Sequence, residues 1–128
     1  MARFLSQEWL DSAARLAHEH PAPHGPNVCI QYVVTGGPGG EVRYHLTYRD
    51  GSLAGAALGE SEDPDVTFTQ TYQDALDILH GSLDTNAAFM EGRMKVAGNM
   101  AKLMSVLPMT GSPPYKDWLE QLASDTDL

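Results

Sequence analysis

Residues 81–100 decide the fold, and they read Gly81-Ser82-Leu83-Asp84-Thr85-Asn86-Ala87-Ala88-Phe89-Met90-Glu91-Gly92-Arg93-Met94-Lys95-Val96-Ala97-Gly98-Asn99-Met100. The stretch predicts a short helix over 84–91 that ends at Gly92, because glycine is favoured just after a helix. Alternation of charged and apolar residues over 93–97 predicts a strand. Asn99 is a good N-cap for a further helix. Gly92 and Gly98 bracket the strand at two tight reversals, where the backbone needs the freedom of glycine.

Two helices are predicted on the carboxyl side of this stretch. The first follows Asn99 and is expected to end at Pro108, which interrupts helical hydrogen bonding. Its apolar residues recur at helical spacing and are Met100, Leu103, Met104 and Leu107. The second spans 113–123, with Pro113 at the favoured first position and Trp118 on its apolar face.

The amino-terminal half predicts one helix followed by four strands. A helix over 6–19 begins at the N-cap residue Ser6. Strictly alternating strands lie near 28–34 and 42–48, and two further strands are expected over 52–58 and 66–70. Thr71 then caps a helix. The element order is α-ββββ-αα-β-αα, which predicts an α+β fold: a single five-stranded, mostly antiparallel sheet covered on one face by helices.

Length and charge limit the function. The 128 residues are expected to form a single domain, 1–128. Seventeen acidic and eight basic residues leave a net charge of −9, which repels phosphate polyanions, so we expect no nucleic-acid partner. The acidic residue Glu8 precedes any apolar segment, so we expect no secretory signal peptide. No apolar run reaches the ~20 residues that span a bilayer. The sequence therefore predicts a cytoplasmic protein.

Residues that could carry chemistry are few. The lone cysteine, Cys29, is expected to be a buried, inert thiol in a strand. His18, His20 and His24 end the first helix and diverge, so we interpret them as solvated capping residues and expect no metal site. No nucleophile motif or paired-carboxylate arrangement is present. We therefore predict a protein that is not an enzyme and uses no cofactor.

Methionine and basic residues concentrate near the decisive stretch. Five of the six methionines lie between Met90 and Met109. Methionine is unbranched and polarizable, so this pattern is typical either of an ordinary core or of a surface that adapts to a lipid or a partner. Arg93, Lys95 and Lys102 lie in a segment without acids, which indicates either a solvated face or transient contact with an anionic membrane surface.

The decisive stretch closely resembles the sterol carrier protein type 2 domain. The matching motifs are Ala88-Phe89, Gly92-Arg93-Met94-Lys95-Val96 and Gly98-Asn99-Met100, in order and spacing. Asp65-Val66-Thr67-Phe68 resembles the family's short strand before its middle helices. The resemblance covers about residues 28–107, so the flanking helices lie outside it. Glu91 departs from the family, which commonly has glutamine there.

The resemblance implies a hydrophobic tunnel between sheet and helices that holds a fatty acid, fatty acyl thioester, sterol or phospholipid without performing a reaction. It implies that the ligand lies against Phe68, Leu76, Leu79, Phe89, Met90, Met94, Met100, Leu103, Met104 and Leu107. Trp118 either completes the core or covers this tunnel.

Two other function classes stay open at the level of sequence. One is an interaction module of the same fold whose cavity is filled by side chains and whose apolar surface forms a homodimer. The other is a small cavity enzyme, such as an isomerase or hydratase with an Asp or His base. That reading requires an ionisable group projecting inward.

Overall fold

The computed structural model describes residues 2–19 and 25–127, and these contain five helices and seven strands. In chain order they are β1 (Ala2–Arg3), α1 (Gln7–Ala17), β2 (Val28–Gly37), β3 (Gly40–Arg49), β4 (Ser52–Leu58), β5 (Val66–Thr71), α2 (Tyr72–Leu79), α3 (Thr85–Met90), β6 (Lys95–Gly98), α4 (Met100–Thr110), α5 (Pro113–Ser124) and β7 (Thr126–Asp127). The predicted order α-ββββ-αα-β-αα is confirmed between the two short terminal strands.

Five strands form one sheet in the order β4-β3-β2-β5-β6. Only β2 and β5 pair in parallel within it, with Tyr32 opposite Phe68, and the other three pairings are antiparallel. The mostly antiparallel α+β fold is therefore confirmed. The sequence analysis missed β1 and β7, which pair in parallel as two-residue strands, too short to give a periodic signal.

One face of the sheet forms the core. Alternate residues of β2, β3 and β5 are buried on this face, and they are Val28, Ile30, Tyr32, Val34, Tyr44, Leu46, Tyr48, Val66 and Phe68. Exposed or half-exposed polar residues such as Arg43 and Thr67 lie on the opposite face. This period-two pattern places the helices and the apolar interior on the same side of the sheet.

The predicted helix caps are confirmed. The side chains of Ser6, Thr71 and Asn99 accept hydrogen bonds from the backbone N–H three residues ahead, each at 3.1 Å. Ser112 occupies the N-cap position of α5, but its hydroxyl donates to the Met109 carbonyl at 2.7 Å and does not cap the helix.

Three predicted boundaries are corrected. The first helix covers Gln7–Ala17, because the backbone after it forms a turn in which His18 N–H donates to the Arg15 carbonyl. Strand β6 begins at Lys95, not at residue 93. The N–H groups of Arg93 and Met94 both donate to the Ala88 carbonyl and close the turn after α3. Pro108 does not end α4, which continues to Thr110.

The continuation past Pro108 has a local cause. A proline in the last turn removes a single helical hydrogen bond, the one to the carbonyl of Met104. Thr110 and Asn86 side chains both donate to the Leu107 carbonyl, at 2.7 and 3.1 Å. These two bonds stabilise the final turn that the proline weakens.

Gly98 is required where β6 meets β5. Its φ is +117°, and a Cβ atom there would lie 2.5 Å from the Asp65 carbonyl oxygen. Any side chain would therefore push β6 away from the start of β5. Gly92, with φ +77°, supplies the left-handed residue that ends α3, as the sequence indicated.

Candidate functional site

An apolar cavity of about 60 Å³ lies between the sheet and helices α1, α2 and α5. Strands β2, β3 and β5 form its floor, and the three helices form its walls. The cavity is lined by Phe4, Trp9, Tyr32, Tyr44, Leu46, Gln70, Ala75, Ile78, Leu79, Thr85, Met94, Tyr115, Trp118, Leu119 and Leu122. No residue in this set carries a charge.

Stacked and edge-on aromatic rings stiffen the floor of the cavity. Tyr32 and Tyr44, opposite each other on β2 and β3, stack with ring centroids 4.7 Å apart. Phe68 packs edge-on against Tyr32 at 5.5 Å, and Trp9 packs edge-on against Tyr44 at 6.1 Å. Such pairs add stabilisation beyond area burial, so the sheet side is expected to move little.

Two tryptophan hydrogen bonds hold α5 to the rest of the molecule. Trp118 Nε1 donates to the Ala13 carbonyl of α1 at 2.8 Å. Trp9 Nε1 donates to Thr126 Oγ1 at 3.0 Å, just after α5 ends. Both buried indole N–H groups therefore have a hydrogen-bond acceptor, and these bonds hold the side of α5 that faces α1 in place.

A second, smaller cavity of about 30 Å³ adjoins the first. Tyr115 and Trp118 line both, so these two side chains form the partition. Tyr48, Leu53 and Met109 contribute to the far wall.

A groove of about 510 Å³ opens between α2 and α5. Four of its residues also line the interior cavity, and they are Ile78, Leu79, Thr85 and Leu119. We call these four residues the gate. The outer rim of the groove carries charge from Asp84, Lys116 and Glu120. The groove therefore has a polar rim and an apolar bottom that leads towards the interior.

Tyrosine hydroxyls supply much of the polarity inside. Burial raises the pKa of Tyr32, Tyr44 and Tyr48 well above the usual value of a phenol, and the nearby Tyr115 raises each further. Burial raises the pKa of Tyr115 to about 12, although a hydrogen bond with Thr85 acts in the opposite direction. All four hydroxyls are therefore neutral at physiological pH.

Two buried polar atoms in this region have no hydrogen-bond partner. They are Oε1 of Gln70, which lines the larger cavity, and the hydroxyl of Tyr48, which lines the smaller one. Buried polar atoms are nearly always paired, so an unpaired one calls for an explanation.

The structure separates the predicted ligand-contacting residues into three groups. Leu79, Met94 and Trp118 line the cavity. Phe68 and Leu103 are fully buried, while Leu76, Phe89 and Leu107 are partly buried against the core. Met90, Met100 and Met104 point to solvent, with 84%, 50% and 61% of their surface exposed.

Met100 and Met104, which the resemblance implies contact the ligand, do not face the interior. Helix α4 buries Leu103, Val106 and Met109, so Met100 and Met104 lie on its outer side. Helix α4 contains so many apolar residues that spacing at i, i+3 and i+4 defines an apolar stripe on more than one face. Contact with α3 and β5 determines which of these faces is buried. The ligand-contacting role of the predicted set stays a prediction.

Sequence reasoning missed several lining residues. Tyr32 and Tyr44 are among them, although the period-two alternation of β2 and β3 predicts their inward position. Gln70 follows Val66 and Phe68 at period two, so a polar residue at an inward position could have been noticed. Thr85 and Tyr115 meet only through tertiary contact between the start of α3 and α5.

The described residues contain no group of three His, Cys, Asp or Glu placed to hold a metal ion. His20 and His24 of the predicted histidine group lie outside the described residues. Cys29 is half-buried, with its Sγ 3.4 Å from Ser61 Oγ. Within the described part of the chain, no helix is long and apolar enough to cross a bilayer.

Fold and site together define a small α+β protein with an uncharged, mostly apolar cavity between a single sheet and its covering helices. Comparison with known proteins agrees with this class. The model of the SCP-2 sterol transfer family matches residues 15–109, about three quarters of the sequence. The chain belongs to this family.

Individual relatives are more distant. The chain is 31% identical over 84 residues to sterol carrier protein 2 of Rattus norvegicus, a match that covers 64% of this chain. It spans 12% and 15% of the lengths of the two curated relatives that it matches.

Solved structures share the fold. A conserved hypothetical protein of Thermus thermophilus superposes with a TM-score of 0.78 at 17% identity, over 95% of this chain and 91% of that one. The palmitated SCP2L2 protein of Aedes aegypti superposes with a TM-score of 0.66 at 15% identity, over 83% of this chain and 94% of that one.

Proposed function

We propose that this protein binds and carries a hydrophobic ligand, of the class of fatty acids, fatty acyl thioesters, sterols or phospholipids, without performing a reaction on it. The observation that carries the proposal is the uncharged apolar cavity that shares four gate residues with an open groove. Each CH₂ group transferred from water contributes about 0.8 kcal/mol, so a long tail binds well without directed polar contacts.

Ligand size sets how the site is used. Small-molecule sites typically measure roughly 300–1,000 Å³. The interior cavity, at about 60 Å³, is far below this range, whereas the groove, at about 510 Å³, lies within it. We infer that a tail enters by displacing the gate side chains, which joins the groove to the cavity into one tunnel.

The chemistry of the lining supports carriage over catalysis. Neither a carboxylate nor a histidine lines the cavity. The tyrosines titrate far above neutral pH, because burial raises the pKa of each hydroxyl. An isomerase or hydratase needs a base whose pKa lies near the working pH.

The relatives point in the same direction. The rat relative is named a sterol carrier protein, and the Aedes aegypti structure is described as palmitated. We extend this ligand class to the present chain as a proposal, with Leu79, Met94 and Trp118 as direct contacts. The proposal extends to residues that are buried in the same core or packed against it, as contacts of a ligand that expands the cavity: Phe68, Leu76, Phe89, Leu103 and Leu107.

We also propose transient contact with an anionic membrane through Arg93, Lys95 and Lys102. Arg93 and Lys95 are exposed, and Lys102 is half-buried with Nζ donating to the Asn27 carbonyl at 2.5 Å. Exposed Met100 and Met104 lie on the same helix as Lys102. Reversing both Arg93 and Lys95 to Glu is expected to reduce co-sedimentation with phosphatidylglycerol vesicles. Unchanged co-sedimentation would remove this surface from the proposal.

Native mass spectrometry of the purified protein, followed by displacement of a fluorescent fatty acid, tests the main proposal. A bound lipid, or displacement at micromolar concentration, is the expected result. Absence of binding together with a concentration-dependent dimer would instead favour the interaction module. The cytoplasmic location and the single-domain extent 1–128 stay predictions.

A further inference from the structure

The unpaired Gln70 side chain is the unusual feature of the interior cavity. Gln70 lies near the end of β5, on the face of the sheet that points to the core, and it lines the cavity with 6% of its surface exposed. Its Oε1 has no hydrogen-bond partner. A carbonyl oxygen can only accept a hydrogen bond, so its missing partner must be a donor.

The tyrosines add neutral hydroxyl groups to the same interior. Tyr32 and Tyr44 line the cavity with Gln70, and Tyr115 lies in the partition to the smaller cavity. Tyr48 closes the smaller cavity with a hydroxyl that also has no partner. A phenol hydroxyl both donates and accepts hydrogen bonds, so these tyrosines can bind a ligand oxygen that also donates and accepts.

No positive charge balances an anion inside. The residues that line the two cavities include no Lys, Arg or His. The basic side chains among the groove residues are His80 and Lys116, and both are exposed to solvent. A carboxylate buried beyond the gate would lose its hydration without gaining a counter-charge, which is strongly unfavourable.

We propose that the interior cavity receives the hydroxyl end of a neutral, hydroxyl-bearing apolar ligand, with the O–H donating to Gln70 Oε1 and the hydrocarbon running out through the gate to the groove. This inference rests on the proposed function and adds the polar group and the orientation of the ligand.

Three probes with the same ten-carbon chain test the inference. They are decan-1-ol, which donates a hydrogen bond, 1-methoxydecane, which does not, and decanoate, which is an anion at pH 7.5. Each is titrated against the protein loaded with Nile red. Decan-1-ol is expected to displace the dye at a concentration at least about fivefold lower than either of the others.

Variants assign the selectivity to the cavity. Gln70→Met keeps the length of the side chain and removes the acceptor, so the advantage of decan-1-ol over 1-methoxydecane is expected to fall below about twofold. Gln73→Met is the matched control, because Gln73 is exposed on α2 and bonds to Asp77, and it is expected to keep the full ratio. Gln70→Leu, which also removes the acceptor, provides a second test if Gln70→Met does not fold, and it is expected to lower the same ratio.

The outcomes separate the two proposals. Equal displacement by alcohol and ether, or tightest binding of decanoate, would overturn the inference and leave the carrier function in place. An unchanged ratio in Gln70→Met would also overturn it. Failure of all three probes to bind would overturn both.

Discussion

Methionine and alanine illustrate how single residues acquire their roles in this molecule. Five methionines lie in the decisive stretch and in α4, but their positions differ. Met94 lines the larger cavity and Met109 the smaller one, while Met90, Met100 and Met104 face solvent. Ala75 lines the cavity from α2 and is buried. Its small side chain leaves room that a larger residue would fill.

Filling the cavity from Ala75 is expected to block the ligand. Ala75→Leu adds three carbon atoms to the wall of a cavity of about 60 Å³, so we expect dye or fatty-acid affinity to fall at least about tenfold. Fluorescence displacement measures this change. Thermal unfolding is expected to show a change in stability within about 2 kcal/mol, because part of the added volume occupies empty space.

Ala101→Leu is the matched control for that variant, since Ala101 is exposed on α4. It makes the same chemical change away from the cavity and is expected to keep the affinity of the wild type. Equal affinity in all three proteins would mean that the ligand does not use this cavity.

Asp65 joins three elements at one point of the sheet. Its carboxylate accepts from Cys29 N–H at 2.8 Å, and its backbone N–H donates to the Cys29 carbonyl at 2.9 Å. Its own carbonyl accepts from Asn99 N–H at 2.8 Å. The residue therefore ties the starts of β2, β5 and α4 together, next to the close approach of Gly98.

Removing this carboxylate is expected to destabilise the sheet. Asp65→Ala leaves the partly buried N–H of Cys29 without its acceptor, at a cost of roughly 1–3 kcal/mol in the free energy of unfolding. Urea unfolding followed by tryptophan fluorescence measures it. Asp63→Ala, at an exposed position in the same turn, is expected to change stability by less than about 0.5 kcal/mol. Equal stability of the two variants would contradict this role of Asp65.

The four tyrosines that line the two cavities make the whole molecule sensitive to alkaline pH. Burial raises the folded-state pKa of Tyr32, Tyr44 and Tyr48 well above the unfolded value near 10, and that of Tyr115 to about 12. The folded protein thus holds these protons more tightly than the unfolded chain. The resulting stabilisation is complete below pH ~10 and is lost as the pH rises, for Tyr115 between pH 10 and about 12.

The free energy of unfolding is therefore expected to be lower at pH 11 than at pH 8. Denaturant titrations at both values, read from tryptophan fluorescence, measure the difference. Tyr115→Phe removes one of the titrating groups, so this variant is expected to lose less stability between the two pH values. An equal loss in both proteins would show that Tyr115 does not contribute to it.

Across the whole molecule, the two sides of α5 are held differently. The side that faces α1 is fixed by hydrogen bonds, and the side that faces α2 contributes to the gate. Trp118 of α5 donates to Ala13 of α1, and Trp9 of α1 donates to Thr126 just after α5, whereas Leu119 faces α2 across the gate. A ligand is therefore expected to be admitted on the α2 side. Neither helix reveals this arrangement alone.

The element order, the strand faces, the helix caps and the family resemblance of residues 81–100 can all be predicted from the amino-acid sequence. These depend on local chemistry: Ser6, Thr71 and Asn99 cap with their own side chains, and period-two alternation places Tyr32 and Tyr44 inward. Three features can be seen only in the three-dimensional structure: the buried face of α4, the continuation of that helix past Pro108, and the position of the cavity. Those features depend on contacts between elements distant in sequence, such as Thr85 with Tyr115 and Asn86 with Leu107, which no local pattern encodes.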